Sequence, residues 1–139
     1  MHCQAKPSTA ADSLHFRQLY RDEMDCQVVH DSIHGRPGWT KSYLLEIAGV
    51  DVGFGTIAIG GPWKDKPTLF EFYVVPEHRT RAFDLFDSLL AASRARLMEI
   101  QSNDPLLSVM LHTYCRDIAA ESIVFHDKVT CSATIRFPL

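Results

Sequence analysis

The segment from Thr68 to Phe86 constrains the fold of this chain more than any other. Thr68 to Val75, read as TLFEFYVV, is β-branched, aromatic and apolar without glycine or proline, which predicts a strand. Alternation puts Phe70, Phe72 and Val74 on one side and Leu69, Glu71, Tyr73 and Val75 on the other. Glu71, a carboxylate inside the most apolar strand, is therefore the residue that packing alone does not explain. A short basic turn leads straight to Ala82, after which Leu85, Phe86, Leu89, Leu90, Ser93 and Leu97 recur at helical spacing. This stripe predicts a helix over Ala82 to Ser102, stopped by Asn103-Asp104-Pro105. A strand feeding directly into a helix aims the helix's first backbone N–H groups, and the positive end of its dipole, at the cleft above the strand's end. Anions bind such positions, and Arg79 and Arg81 would add charge-assisted hydrogen bonds.

The remaining elements arrange themselves around that unit. His2 to Lys6 reads as a first strand. Pro7-Ser8-Thr9 opens a helix in which Thr9 and Asp12 form a box-like cap, and Phe16, Leu19, Tyr20, Met24 and Val28 carry it to about Asp31. Gly35-Arg36-Pro37-Gly38 breaks the chain before two strands, Ser42 to Ile47 and Val52 to Ile59, joined by the turn Ala48-Gly49-Val50-Asp51. Gly53 and Gly55 mark a bulge or a close backbone approach. Beyond the central helix, Leu106 to His112 reads as a buried strand, Asp117 to Asp127 as a short helix with Ile118, Ser122 and Phe125 inward, and Val129 to Phe137 as a last strand. The expected result is one α/β (α+β) domain over residues 1–139: a mixed, mostly antiparallel central sheet flanked by helices. Thr68 to Val75 and Leu106 to His112 would run parallel across the intervening helix.

Composition narrows the function. The 139 residues suffice for one core. Fourteen Lys and Arg against seventeen Asp and Glu give a charge of −3, so no basic field exists to hold a nucleic acid or an anionic membrane. Apolar runs fall far short of the roughly 20 residues of a membrane helix, and the first residues lack the pattern of a signal peptide. Cys3, Cys26, Cys115 and Cys131 form no C-x-x-C pair and read as free thiols in a cytoplasmic protein. His30 and His34 stand four apart, as two metal ligands on one helix face would, but no third ligand lies nearby and no metal is expected. No G-x-G-x-x-G follows a strand, which excludes a Rossmann-type dinucleotide site.

The run Val74-Val75-Pro76-Glu77-His78-Arg79, followed by a tight turn into an amphipathic helix, resembles the acyl-CoA pyrophosphate motif of the GNAT N-acetyltransferase superfamily. The family pattern continues as R-x-x-G-x-G or A; here it reads Arg79-Thr80-Arg81-Ala82-Phe83-Asp84, and the element order matches over nearly all of Lys6 to Phe137. The resemblance implies an acetyl-CoA-dependent transfer to a small amine or an amino terminus, with acetyl-CoA in a notch between strands 4 and 5. Tyr73, Val74 and Val75 would line its pantetheine arm, and Arg79, Thr80, Arg81, Ala82, Phe83 and Asp84 would surround its pyrophosphate. Glu71 stands where the family places the base that takes a proton from the substrate ammonium, a step the chemistry requires because only a neutral amine attacks a thioester.

Three departures from the family pattern matter. Both loop glycines are replaced, by Ala82 and Asp84. A carboxylate about 4 Å from a phosphate repels it by roughly 4 kcal/mol at an effective dielectric near 20, whereas one turned outward merely complements the helix dipole. The family tyrosine that protonates the departing thiolate superposes on Phe125, leaving Tyr114 or Cys115 as substitutes. Val129 to Leu139 supplies one strand where the family closes its sheet with a hairpin, so an open edge is expected, and with it a homodimer through Ala133, Ile135 and Phe137. The alternative to an enzyme is a non-catalytic module of the same fold serving in dimerisation or partner binding.

Overall fold

The computed structural model describes residues 2–24 and 30–120. Nine elements follow one another: β1 (Cys3–Ser8), α1 (Leu14–Met24), α2 (His30–His34), β2 (Thr40–Ile47), β3 (Val50–Ala58), β4 (Thr68–Val74), α3 (Ala82–Ser93), β5 (Leu97–Met98) and α4 (Pro105–Tyr114). The strands form one sheet in the order β1-β2-β3-β4-β5. The first three pairings are antiparallel and the last, β4 with β5, is parallel. One face carries Leu45, Phe72 and Val74 against Leu85, Phe86 and Leu89 of α3 and Leu107 and Met110 of α4. The other carries Leu44, Phe54 and Tyr73 against Phe16, Tyr20 and Met24 of α1. No helix among the described residues is long and apolar enough to cross a membrane.

Several local devices behave as the sequence implies. Thr9 and Asp12 exchange reciprocal bonds: the Thr9 N–H donates to Asp12 Oδ2 at 3.2 Å, and the Asp12 N–H to Thr9 Oγ1 at 3.1 Å. The β2–β3 hairpin is tighter than expected, because Ile47 already pairs with Val50 and only Ala48 and Gly49 turn. Both have positive φ, 50° and 82°, the mirror-image turn that suits strand twist. Gly53 marks a close approach: a Cβ there would lie 2.0 Å from the Tyr73 carbonyl oxygen.

Other elements differ from expectation for identifiable reasons. α3 stops at Ser93 because Arg94 turns left-handed (φ 56°), its N–H bonding back to Leu90 O at 2.9 Å. Leu97 sits at the next helical position of the apolar stripe, yet belongs to the two-residue β5. The parallel partner of β4 is therefore Leu97–Met98, and Leu106 to His112 is helical within α4. Asn103-Asp104-Pro105 starts that helix rather than stopping its predecessor: the Asp104 carboxylate accepts from the Leu107 N–H at 3.0 Å and Pro105 takes the first turn, where no N–H is needed. Within the span expected as a helix from Asp117, residues 117–120 are not helical and Ile118 is exposed. Val28, Phe125, the Val129 to Phe137 strand and the edge built on it lie outside the described residues.

The alternation read for β4 also fails at one point. Thr56 pairs with Glu71, but the next residue, Ile57, pairs with Leu69, so Phe70 is an extra residue in β4. Such a bulge turns two successive side chains to one side. Leu69 accordingly joins Phe72 and Val74 under α3, while the Phe70 ring and the Glu71 carboxylate both meet His34.

Candidate active site

The bulge lies where β4 and β5 part. Their ladder consists of Thr68 with Leu97 and Leu69 with Met98, continued by one bond from the Glu99 N–H to Leu69 O at 3.0 Å. Beyond it β5 no longer pairs with β4, so the edge of the strand from Phe70 to Val74 on that side has no strand neighbour among the described residues. Burial of a carboxylate at such a place demands partners, since an isolated ion is costly outside water. Glu71 has them. Its Oε1 lies 2.6 Å from His34 Nε2, with both side chains sealed at 3% and 5% exposure. The imidazole centroid stands 5.7 Å from that of Phe70.

Arg17 of α1 is the second charge in this cluster. Burial lowers its affinity for a proton and the Glu71 carboxylate partly restores it, so the two charges sense each other. Its Nη2 donates to Asp31 Oδ1 at 2.9 Å, and Arg21 joins the same carboxylate. Tyr20, one turn along from Arg17, donates its hydroxyl to Asp104 Oδ2 at 2.6 Å and so ties α1 to the start of α4. Burial, then the Asp104 charge, pushes the Tyr20 hydroxyl far above the ordinary phenol range. Two buried polar atoms have no hydrogen-bond partner among the described residues: His34 Nδ1, and the hydroxyl of Thr56, which faces Glu71 across the β3–β4 ladder.

At the other end of β4, Pro76–Arg81 forms a 3-10 turn that runs directly into α3. Proline suits its first position, and the His78 N–H returns to Val75 O while the Ala82 N–H returns to Arg79 O. The Ala82 amide is thus occupied within the chain. Arg79 is the organiser of the turn: Nε donates to Val74 O at 2.9 Å, Nη1 to Glu23 Oε1 at 2.7 Å, and the guanidinium carbon lies 5.5 Å from the Tyr73 ring centroid. Arg81 Nε donates to Asp84 Oδ2 at 2.8 Å, and its Nη2 reaches Cys3 Sγ at 3.2 Å. Asp84 therefore neutralises an arginine instead of standing as an unpaired anion. Thr80 and Phe83 are exposed beside them and Ala82 is buried.

The fold thus gathers Tyr73, Val74, Val75 and the run from Arg79 to Asp84 around one strand end, with Glu71 further along the same strand. Tyr114 is not among them. It ends α4, stacks on Phe86 at 4.9 Å and donates its hydroxyl to Asp87 Oδ1 of α3 at 2.6 Å. Phe86 packs on the sheet face opposite the one that holds Tyr20 and Tyr73. Burial and Asp87 push the Tyr114 hydroxyl up to about 12. His34, Arg17, Tyr20 and Asp104 are the members that sequence reasoning missed. His34 was visible only as half of a doubtful metal pair, and nothing in the sequence ties residue 34 to residue 71.

No protein-family model matches the sequence, and no curated protein matches it. Solved structures do. A ribosomal-protein-alanine N-acetyltransferase from Brucella melitensis biovar Abortus 2308 superposes with a TM-score of 0.63 at 11% identity, covering 91% of this chain and 99% of that one. A predicted acetyltransferase from Clostridium acetobutylicum, solved with acetyl-CoA, gives 0.59 at 10% identity, with 91% and 97% covered. AAC(6')-Iy in complex with a CoA-containing bisubstrate analogue gives 0.53 at 19% identity, again with 91% and 97% covered. The chain has the fold of the GNAT N-acetyltransferases, a mixed, mostly antiparallel sheet whose fourth and fifth strands run parallel.

Proposed function

We propose that this protein is an acetyl-CoA-dependent N-acetyltransferase that acts on a small amine or an amino terminus. One observation carries the reading: a carboxylate, Glu71, is buried at the bulge where β4 leaves β5, on the strand that runs into the N-terminus of α3. An apolar residue would hold that position at less cost, because a buried charge pair is weak as a stabiliser. Amine acetylation gives the carboxylate a purpose, since the ammonium must lose a proton before its nitrogen has a lone pair to attack with.

The donor set suits acetyl-CoA. Arg79, Thr80 and Arg81, with the positive end of the 12-residue α3 behind them, favour a pyrophosphate, while Tyr73, Val74 and Val75 border the notch and Ala82, Phe83 and Asp84 complete the turn. Bound there, acetyl-CoA supplies an acetyl group already activated as a thioester. The protein's own residues do the rest. Phe70 and Tyr73 give the cleft an apolar wall that excludes water, and Glu71 anchors the group that draws the proton from the acceptor. Tyr114 keeps its proton at neutral pH, but its hydroxyl is turned to Asp87; the departing thiolate takes its proton from the amine nitrogen. Free Cys3 and Cys115 suit a cytoplasmic protein.

The test is acetyl-CoA itself. A hundredfold excess over Kd stabilises the fold by about 2.7 kcal/mol, and calorimetry reads the affinity directly. No thermal shift at millimolar acetyl-CoA together with a flat titration refutes the enzyme reading in favour of a non-catalytic module. The homodimer is checked by light scattering, where a mass near 15.7 kDa, unchanged on dilution, removes it.

A further inference from the structure

The buried pair between α2 and β4 holds an asymmetry. While Glu71 is ionised its carboxylate only accepts, so the 2.6 Å contact is then a bond from His34 Nε2–H to the carboxylate, and in the neutral ring that leaves Nδ1 as a bare lone pair. Nδ1 is buried and meets no partner among the described residues. The unpartnered Thr56 hydroxyl stands on the strand beside Glu71, directly across from it. A buried polar atom left unpaired costs free energy, and both of these belong to residues that contact Glu71 or pair with it across the ladder. Among the described residues, Arg17 and Tyr20 of α1 sense the Glu71 charge, and each has its own partner: Arg17 in Asp31 of α2, and Tyr20 in Asp104.

We propose that His34 Nδ1 is the atom that takes the proton from the acceptor ammonium, with Glu71 acting behind it as the positioning residue that fixes the ring. This rests on the acetyltransferase reading and deepens it. One N–H bond of the ammonium breaks and an Nδ1–H bond forms; the electron pair stays on the amine nitrogen. That nitrogen attacks the thioester carbonyl carbon, and as the C–S bond breaks its pair leaves with sulfur, which receives the second proton the nitrogen sheds. The imidazolium, bonded to Glu71, then releases its proton to solvent, so each turnover yields one amide, one free thiol and one proton. The pairing of an oriented imidazole with a buried carboxylate is the general logic of histidine bases.

Two measurements on the full chain test it. Imidazole ¹⁵N spectra should show His34 protonated at Nε2 and bare at Nδ1 in the neutral ring, and Glu71→Gln should change that tautomer balance, because an amide can donate as well as accept. Thiol release from acetyl-CoA with spermidine, kanamycin and an alanine-leading tripeptide supplies the kinetic arm. His34→Gln keeps an amide N–H for Glu71 but has no basic atom, so kcat/KM for the best acceptor should fall by roughly 100-fold or more with calorimetric acetyl-CoA affinity unchanged. Glu71→Gln should displace the acid limb of the kcat/KM profile relative to the wild-type protein. An Nδ1–H tautomer overturns the proposal whether or not any of the three amines reacts. So does a folded His34→Gln protein that keeps activity within about threefold, because the carboxylate would then act directly. Absence of acetyl-CoA binding refutes the acetyltransferase reading instead, and leaves the tautomer to decide the geometry.

Discussion

Tyr20→Phe isolates the bond that ties α1 to α4. The ring stays, and with it the contacts to Phe54 at 5.9 Å and Tyr73 at 6.0 Å, so no cavity opens. What disappears is the 2.6 Å hydrogen bond to Asp104, whose residue is 2% exposed. A hydrogen bond to a charged acceptor contributes about 1.5 to 3 kcal/mol, and burial on both sides keeps this one clear of the bottom of that range, at about 2 kcal/mol. For a chain of this size that is roughly 6 to 10 °C in Tm. Urea unfolding should show the loss with an unchanged slope, since the same surface is exposed. Asp104→Ala removes the helix cap as well and should cost about 1 kcal/mol more, and the double mutant should recover about 1 to 2 kcal/mol of coupling. A loss below about 0.5 kcal/mol in Tyr20→Phe, or no coupling, would refute the claim that this bond holds the two helices together.

Gly53→Ala puts a methyl 2.0 Å from the Tyr73 carbonyl oxygen, a backbone atom that cannot swing away; unfolding titrations should show a loss of about 3 kcal/mol or more. Asp84→Asn releases Arg81 and removes a negative charge from the α3 N-terminus, so calorimetry should read acetyl-CoA binding roughly fivefold tighter at low salt, with the gain fading as salt is raised. Burial raises all four tyrosine hydroxyls, Tyr20, Tyr43, Tyr73 and Tyr114, and in the folded state it is the neutral form that is favoured. Their contribution is therefore present below the ordinary pKa of about 10 and lost as pH rises beyond it. A tyrosinate absorbance titration should stay flat to about pH 10 and then rise together with unfolding; ionisation of most tyrosines in the native protein near pH 10 would contradict it.

Elements announced by a local chemical signal were legible in the sequence. The reciprocal cap of Thr9 and Asp12, the β2–β3 hairpin, the apolar run of β4 and the start of α3 each depend on residues close in the chain. The failures came where two signals share residues. Leu97 continues the stripe of α3, so a two-residue strand vanished into a predicted helix; the real stop, a left-handed Arg94, has no glycine to mark it. Asp-Pro can end one helix or cap the next, and only packing of Leu107 and Met110 into the core on that face of the sheet decides for the cap. Glu71 stood out because a carboxylate in an apolar strand breaks the pattern. His34 did not, because its meaning depends on a bulge that turns Phe70 and Glu71 to one side, and a bulge is set by pairing between strands.

The same distinction bears on how the turn at α3 can hold an anion without the glycines of the family pattern. Glycines there let backbone amides point outward. In this chain the turn is a 3-10 segment, and the His78 and Ala82 amides return to carbonyls three residues back. The two arginine side chains of the turn are each already matched: Arg79 with Glu23, Arg81 with Asp84. On the proposed function, an incoming pyrophosphate that reached either arginine would therefore exchange partners with an existing carboxylate. Such an exchange is enthalpically near even for Arg81, whose pair is exposed. It is harder for Arg79, which also holds Val74 O and lies by the Tyr73 ring. Arg81 is thus the arginine best placed to turn toward a ligand, and Arg79 the one that keeps the turn and α1 in register while it does so.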